Sequence, residues 1–413
     1  MSSFQPTLWS PISNGITAPK GFKASGVSAG LKFSGKPDLA LLLAPKNSVC
    51  AGTFTQSFVR ASCVDLCKER LKRNCGKARA VLINSGHANA CTGDRGLEDS
   101  LKASIALAKH LNLMEDEVLI CSTGVIGEQV PINKLLLGLE PLVNDLCSDG
   151  GDDASKAIMT TDLINKQTAY EALLGGQCVR IGGMAKGSGM IHPNMATMLG
   201  FLTCDARVPA EIWSSMIQRV VQSTFNSITV DGDTSTNDSF IAFSSGSDLP
   251  EKYFKDLEIG LKQVTENLAK AIARDGEGAN CLIEVEVKGA QTFDDARKIA
   301  RTVCNSSLVK TAVHGADPNW GRIVAACGRA EVPIDLGCVS ISIGPYSVME
   351  DGKPIDFDRN LVSAYMQSLF KGSYLKDDIL LISINLGLGN ESAKSWGCDF
   401  SEEYIRINAE YTT

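Results

Sequence analysis

Apolar and polar positions follow two periods along this chain. Ile283, Val285 and Val287 alternate strictly with Glu284, Glu286 and Lys288, which predicts a strand with one buried face. Just before it, Phe254, Leu257, Leu261, Val264, Leu268 and Ile272 recur at helical spacing and form the clearest amphipathic stripe in the chain. That stripe stops at the polar, glycine-rich Asp275-Gly276-Glu277-Gly278. Elsewhere the same alternation of types repeats. Ala78 to Asn84 predicts a buried strand ending in a Ser85-Gly86 turn, and Leu97 to Leu113 a helix. Glu117 to Cys121 predicts a strand ending at Ser122-Thr123-Gly124. Pro209 stands where a helix would begin, with Ile212, Met216 and Val220 on one face behind it. Asp294 to Cys304 looks helical, while Val339 to Ile343 and Ile379 to Leu386 look like strands. Strands and helices interleaved in this way predict an α/β architecture. No repeat or low-complexity linker interrupts it, and the weakest seam, in polar and proline-containing material, lies near Ala196.

Composition narrows the class. With 413 residues, 44% hydrophobic and 21% charged, the chain has the make-up of an ordinary globular protein with room for two or three structural units. A net charge of −7 argues against nucleic acid as a partner, and the one basic cluster, Lys68 to Arg73, is short. Apolar stretches are too short to cross a bilayer. The opening MSSFQPTLWSP lacks the basic and apolar regions of a secretory signal, so a cytoplasmic location is expected. The 14 cysteines contain no CxxC, and the four histidines show no ligand spacing, so buried reduced thiols are expected and no metal site.

Chemistry concentrates in Gly182 to Leu199, GGMAKGSGMIHPNMATML. Lys186 sits among Gly182, Gly183, Gly187 and Gly189, whose missing side chains let backbone approach a ligand or another strand. After Pro193 and Asn194 a nearly continuous apolar run from Met195 to Leu202 carries Thr197. That threonine is either a satisfied strand residue or a nucleophile at the mouth of a glycine-lined pocket. Three further segments set glycine and small polar residues at predicted strand ends: Asn84–Gly93, Ser122–Gly127 and Asp231–Asp238. Each alone is a turn, but together they are more loop chemistry than a core requires. No GxSxG elbow, P-loop or dinucleotide fingerprint occurs. His110, His192 and His314 have no catalytic setting in the sequence. A nucleophilic Thr197 would therefore need a base from elsewhere. Cleavage of the Ala196–Thr197 bond would supply one, because a free α-amine titrates at ~7.7–8.

The residues that decide between these readings run nearly end to end: Thr17–Phe22 with Gly26-Val27, Ala51–Thr55, Asn84–Gly93, Ser122–Gly127, Ile158–Asp162, Lys186–Leu199, Thr229–Asp238, Asp317–Arg322, Trp396–Asp399 and Ile407–Thr413. With these motifs the chain resembles the glutamate N-acetyltransferase (ornithine acetyltransferase) family of arginine biosynthesis. The resemblance implies a self-processing acyltransferase fold, with mixed sheets layered by helices and the nucleophile at a strand N-terminus. It implies cleavage into an α chain, Met1–Ala196, and a β chain, Thr197–Thr413. It further implies ping-pong transfer of acetyl from N2-acetylornithine to glutamate through Thr197, with Thr123 and Gly124 as the oxyanion hole. By position Thr160, Lys186, Thr197, Glu277, Asn408 and Thr413 match the family's substrate-binding residues. No bound cofactor is implied. Acetyl-CoA is a further co-substrate in some members, and the resemblance implies an assembly of two α and two β chains. One position departs from the family pattern NSGNANACTG: His87 replaces the central Asn. Two rivals stay open on sequence alone, a self-processing amidase or aminopeptidase using water as acceptor, and an uncleaved binding protein for acyl amino acids.

Overall fold

Side-chain parity along two neighbouring strands sets the layers. In Leu199–Arg207, Leu199 and Phe201 face one core while Leu202, Cys204 and Ala206 face another. Its parallel neighbour Ser239–Asp248 divides likewise, with Ile241 and Phe243 on the first side and Phe240 and Ala242 on the second. Both strands are hydrophobic on both faces, as a central strand covered on either side must be. The computed structural model describes residues 8–192 and 198–410. Ala196, Thr197 and Thr413 lie outside the described residues.

Among the described residues the strands form two six-stranded sheets and one four-stranded sheet. The central sheet runs in the order Ser10–Ile12, Lys166–Leu174, Gln177–Lys186, Leu199–Arg207, Ser239–Asp248, Val49–Phe54. All its pairings are antiparallel except that of Leu199–Arg207 with Ser239–Asp248. Helices Ala210–Ser223 and Phe254–Arg274 cover one face, burying Trp213, Met216 and Val220 and the predicted Leu257–Ile272 stripe. The other face shares its core with the four-stranded sheet of Lys23–Val27, Leu39–Leu43, Ala80–His87 and Val118–Val125. A third core lies under the remaining sheet, where Leu282–Ala290 pairs with Ile379–Asn385 and Glu391–Cys398 beneath helix Phe293–Cys304. The structure is therefore α/β, with mixed sheets layered by helices.

Two predicted turns are strands. The chain does not turn at Ser85-Gly86 or stop before Ser122-Thr123-Gly124: Ala80–His87 and Val118–Val125 continue side by side through these residues. Neighbours supply what the local sequence lacks. Ser85 N–H donates to Asp38 O at 2.9 Å, and Ser85 pairs with Thr123. The ladder shifts register at His87, which faces both Thr123 and Val125, a bulge of the kind that re-aims side chains beside a site. Asp231–Asp238 is a loop as predicted. The 14 cysteines form no disulfide. No helix among the described residues is long and apolar enough to cross a membrane.

Candidate active site

Thr123 and Gly124 are held by strand pairing and by one amide from another sheet. Gly124 adopts φ +132°, and a Cβ there would lie 2.2 Å from the carbonyl carbon of Gly86, so this close approach admits glycine alone. Asn84 Nδ2 donates to His87 O at 2.9 Å, and Ser122 Oγ donates to Asn84 Oδ1 at 2.7 Å. Asn237, at the foot of Ser239–Asp248, donates to Ser122 O at 2.8 Å and to Ala88 O at 2.5 Å. One side chain thus locks the central sheet to the strand that carries Thr123. Sequence reasoning placed Asn237 in a polar loop and gave it no role. Its signal was membership of the Thr229–Asp238 motif.

Lys186 ends the strand Gln177–Lys186 and is buried. Its ammonium donates to Thr123 Oγ1 at 3.2 Å. Lysine has no acceptor, so Thr123 must accept here, which leaves the hydroxyl proton of Thr123 to point elsewhere. Burial pushes the Lys186 pKa down, opposed by the carboxylate of Asp162. Asp162 is itself the hub of a buried ion cluster. It accepts from Lys166 Nζ at 2.7 Å, Gly187 N at 2.7 Å and Thr160 N at 2.9 Å. Burial opposes its ionisation, but the charges of Lys166 and Lys186 and these hydrogen bonds hold its carboxyl well below the usual range. Lys166 also reaches Asp275 Oδ2 at 2.6 Å. Nothing in the pattern around Lys166 distinguished it from a surface strand lysine, so sequence reasoning missed it.

Glu277 sits past the end of the long helix, buried, with its N–H donating to Ser188 O at 3.1 Å. Gly189 makes room for it: a Cβ there would lie 2.5 Å from Glu277 Oε2. Asn408 Nδ2 donates to that same oxygen at 2.8 Å. Asn408 comes from the C-terminal helix Glu402–Ala409, which is fastened at its start. Ser401 Oγ donates to Gly278 O at 2.7 Å, and His314 bridges Asp399 at 3.0 Å and Glu402 at 3.1 Å. His314 is thus a fastening for this helix. Asp231 accepts from Met190 N at 2.6 Å and Ile191 N at 2.9 Å, holding the glycine-rich loop.

Thr123, Gly124, Thr160, Lys186, Glu277 and Asn408 all line one cavity of about 310 Å³. Met198 and Leu199, the residues that follow Thr197, line it as well. Scattered over some 290 positions of sequence, the six described residues converge on one space. A second cavity of about 540 Å³ shares Gly124 and Thr160 with it and is lined by Lys32, Lys36, Lys156, His87, Phe33 and Met159. Burial pushes Lys32 down to about 8. His87 is buried, with Nε2 3.7 Å from Glu128, and burial holds its pKa below the ordinary value against the pull of Glu128. Among the described residues no group of histidine, cysteine and carboxylate side chains could hold a metal ion.

Fold and cavity together define an α/β protein with a buried lysine, a carboxylate and a threonine–glycine pair facing one small polar space. The profile of the ArgJ family matches residues 23–413, and the chain belongs to that family. It is 62% identical over 413 residues to the arginine biosynthesis bifunctional protein ArgJ of Prochlorococcus marinus, covering 100% of both chains. The protein of the same description from a Synechocystis species is 50% identical over 411 residues, with 98% of this chain and 99% of that one covered. A crystal structure of arginine biosynthesis bifunctional protein ArgJ from Bacillus halodurans is 38% identical, covering 51% of this chain and 97% of that chain with a TM-score of 0.46.

Proposed function

We propose that the protein transfers acetyl from N2-acetylornithine to glutamate through an acetyl ester on Thr197. The observation that carries this reading is the convergence of Thr123, Gly124, Thr160, Lys186, Glu277 and Asn408 on one cavity bordered by Met198 and Leu199. In the maturation step the Thr197 hydroxyl attacks the Ala196 carbonyl carbon, the peptide bond gives way to an ester, and water hydrolyses the ester. This frees the Ala196 carboxylate and the Thr197 amine. That amine then takes the proton of its own hydroxyl as the oxygen attacks the acetyl carbonyl. The tetrahedral oxyanion is met by the Thr123 hydroxyl proton, left available by the Lys186 contact, and by the Gly124 N–H. The ornithine amine leaves with the proton, and the amine of glutamate attacks the acetyl ester in turn. Lys186 supplies the positive charge for a substrate carboxylate. Glu277, oriented by Asn408, supplies the negative charge for an ammonium. Thr160 and Thr413 complete the substrate set, and no bound cofactor takes part.

A second donor, acetyl-CoA, is favoured by the adjoining cavity. Lys32, Lys36 and Lys156 give it the charge to hold phosphates, Phe33 and Met159 give an apolar arm a wall, and its shared Gly124 leads to the acyl-transfer space. Incubation with acetylornithine and glutamate is expected to release ornithine and N-acetylglutamate in equal amounts. Acetate in place of N-acetylglutamate would replace this reading with the amidase one. Acetyl-CoA and glutamate, in a separate incubation, are expected to give the same product, and no free thiol would remove the second donor alone.

A further inference from the structure

Guanidinium nitrogens buried without partners mark another site. Arg297 and Arg301 stand one turn apart on helix Phe293–Cys304, and Arg329 faces them from the end of helix Trp320–Gly328 across a cavity of about 390 Å³. Arg297 Nε and both Nε and Nη2 of Arg301 are buried with no hydrogen-bond partner among the described residues. These donors have lost water and gained no acceptor in exchange. Burial, and then the charge of the neighbouring Arg297, push Arg301 down to about 10. Charge balance points the same way. Arg297, Lys298, Arg301 and Arg329 are answered by Asp294, which holds Arg297 at 2.7 Å and Lys298 at 3.4 Å, and by Glu331 on the wall. Two positive charges remain over.

Neutral polar side chains also line the cavity: His192 and, on the same helix stripe as Arg297 and Arg301, Asn305. His192 Nδ1 lies 3.0 Å from Thr229 Oγ1, which donates to Asn305 Oδ1 at 3.0 Å. Burial and the charge of Arg301 push the imidazole down to about 4, so it adds no charge at neutral pH. We propose that this cavity binds a compact dianion whose oxygens accept from the Arg297 and Arg301 guanidinium groups, as a phosphate or a short dicarboxylate would. The adjacent idle Nε and Nη2 of Arg301 suit such oxygens in paired geometry, and the idle Nε of Arg297 adds a single donor. The cavity shares no lining residue with the acyl-transfer space, yet Ile191 lines that space and His192 this one. A bound dianion would therefore lie beside His192 without entering the acyl-transfer cavity. The site does not depend on the acetyl-transfer reading.

The test is thermal unfolding of the full-length protein titrated with inorganic phosphate and, separately, succinate, at ionic strength held constant with sodium chloride. A saturable rise of about 2–5 °C with at least one dianion is expected, and none with chloride. A response to phosphate alone identifies the phosphate class, and a response to succinate alone the dicarboxylate class. Arg301→Gln is expected to weaken the response at least tenfold and, in chloride, to unfold no lower than the parent protein, because it removes an uncompensated buried charge. Arg329→Gln, an exposed position that folding does not need, should weaken binding about fivefold. No saturable response to either dianion, or an undiminished response in both variants, would overturn the proposal.

Discussion

Lys186 and Thr123 meet at 3.2 Å, and that contact decides what removal of the ammonium should do. A lysine that only anchors a carboxylate affects KM; one that also fixes the oxyanion donor affects kcat. Lys186→Met is therefore expected to lower kcat/KM about 100-fold or more, divided between the two constants, with the fold retained. Steady-state kinetics measure the division, and an effect confined to KM would remove Lys186 from the oxyanion side. His87 gives a pH prediction. Its folded pKa is lowered, so its neutral form is the one the fold favours. The stability it contributes is present above the unfolded value of about 6.5 and lost as pH falls through the lowered folded value. His87→Asn should flatten the acid limb of the stability profile and leave the profile unchanged from pH about 7 to 8. An acid limb unaltered in the variant would show that His87 does not contribute to it.

Between elements, a buried ion cluster does the joining. Lys166 on a strand, Asp162 after the short helix Gly151–Ala157 and Asp275 at the end of the long helix meet within 2.7 Å of one ammonium. Lys166→Met would remove the ammonium shared by two buried carboxylates, leaving Asp162 only Lys186 and its amide donors and Asp275 only amide donors, and is expected to destabilise by about 3–5 kcal/mol in urea unfolding. Adding Asp162→Asn should recover part of that loss; full additivity of the two would show that they do not interact. The sign with pH follows from the lowered Asp162 carboxyl. Its stabilisation is complete above the unfolded value of about 3.9 and declines as pH falls toward the folded value. This cluster was illegible in the sequence because Lys166 acquires its partners from positions four and over a hundred residues away. Long periodic elements were legible: helix Phe254–Arg274 and strand Leu282–Ala290 follow their apolar stripes. Strand ends at Ser85-Gly86 and Ser122-Gly124 were misread for a related reason. Glycine and serine signal a turn locally, whereas the pairing that keeps them extended comes from strands elsewhere in the chain. The candidate site residues themselves were legible only through motifs, since no spacing along the chain predicts that Thr123 and Asn408 share a cavity.

At the scale of the whole molecule, the proposed cut after Ala196 falls inside a sheet's connectivity. Gln177–Lys186, before it, pairs antiparallel with Leu199–Arg207, after it, while Val49–Phe54 pairs with Ser239–Asp248 at the sheet edge. The proposed α and β chains would therefore both belong to one folded body, whose central core takes residues from either side of the cut, such as Ile181 beside Leu202 and Leu261. Separating them would expose that core and break two strand ladders, so cleavage should leave the fragments associated. Purified protein is expected to show Met1–Ala196 and Thr197–Thr413 as two bands on a denaturing gel and one species in native size measurement. Thr197→Ala should give a single 413-residue band with the same native size and no acetyl transfer. Fragments that part under native conditions would mean that the shared sheet does not hold the cleaved molecule together. Processing that persists in Thr197→Ala would remove the hydroxyl from the maturation step, because no other group then lies on the scissile residue to attack the Ala196 carbonyl.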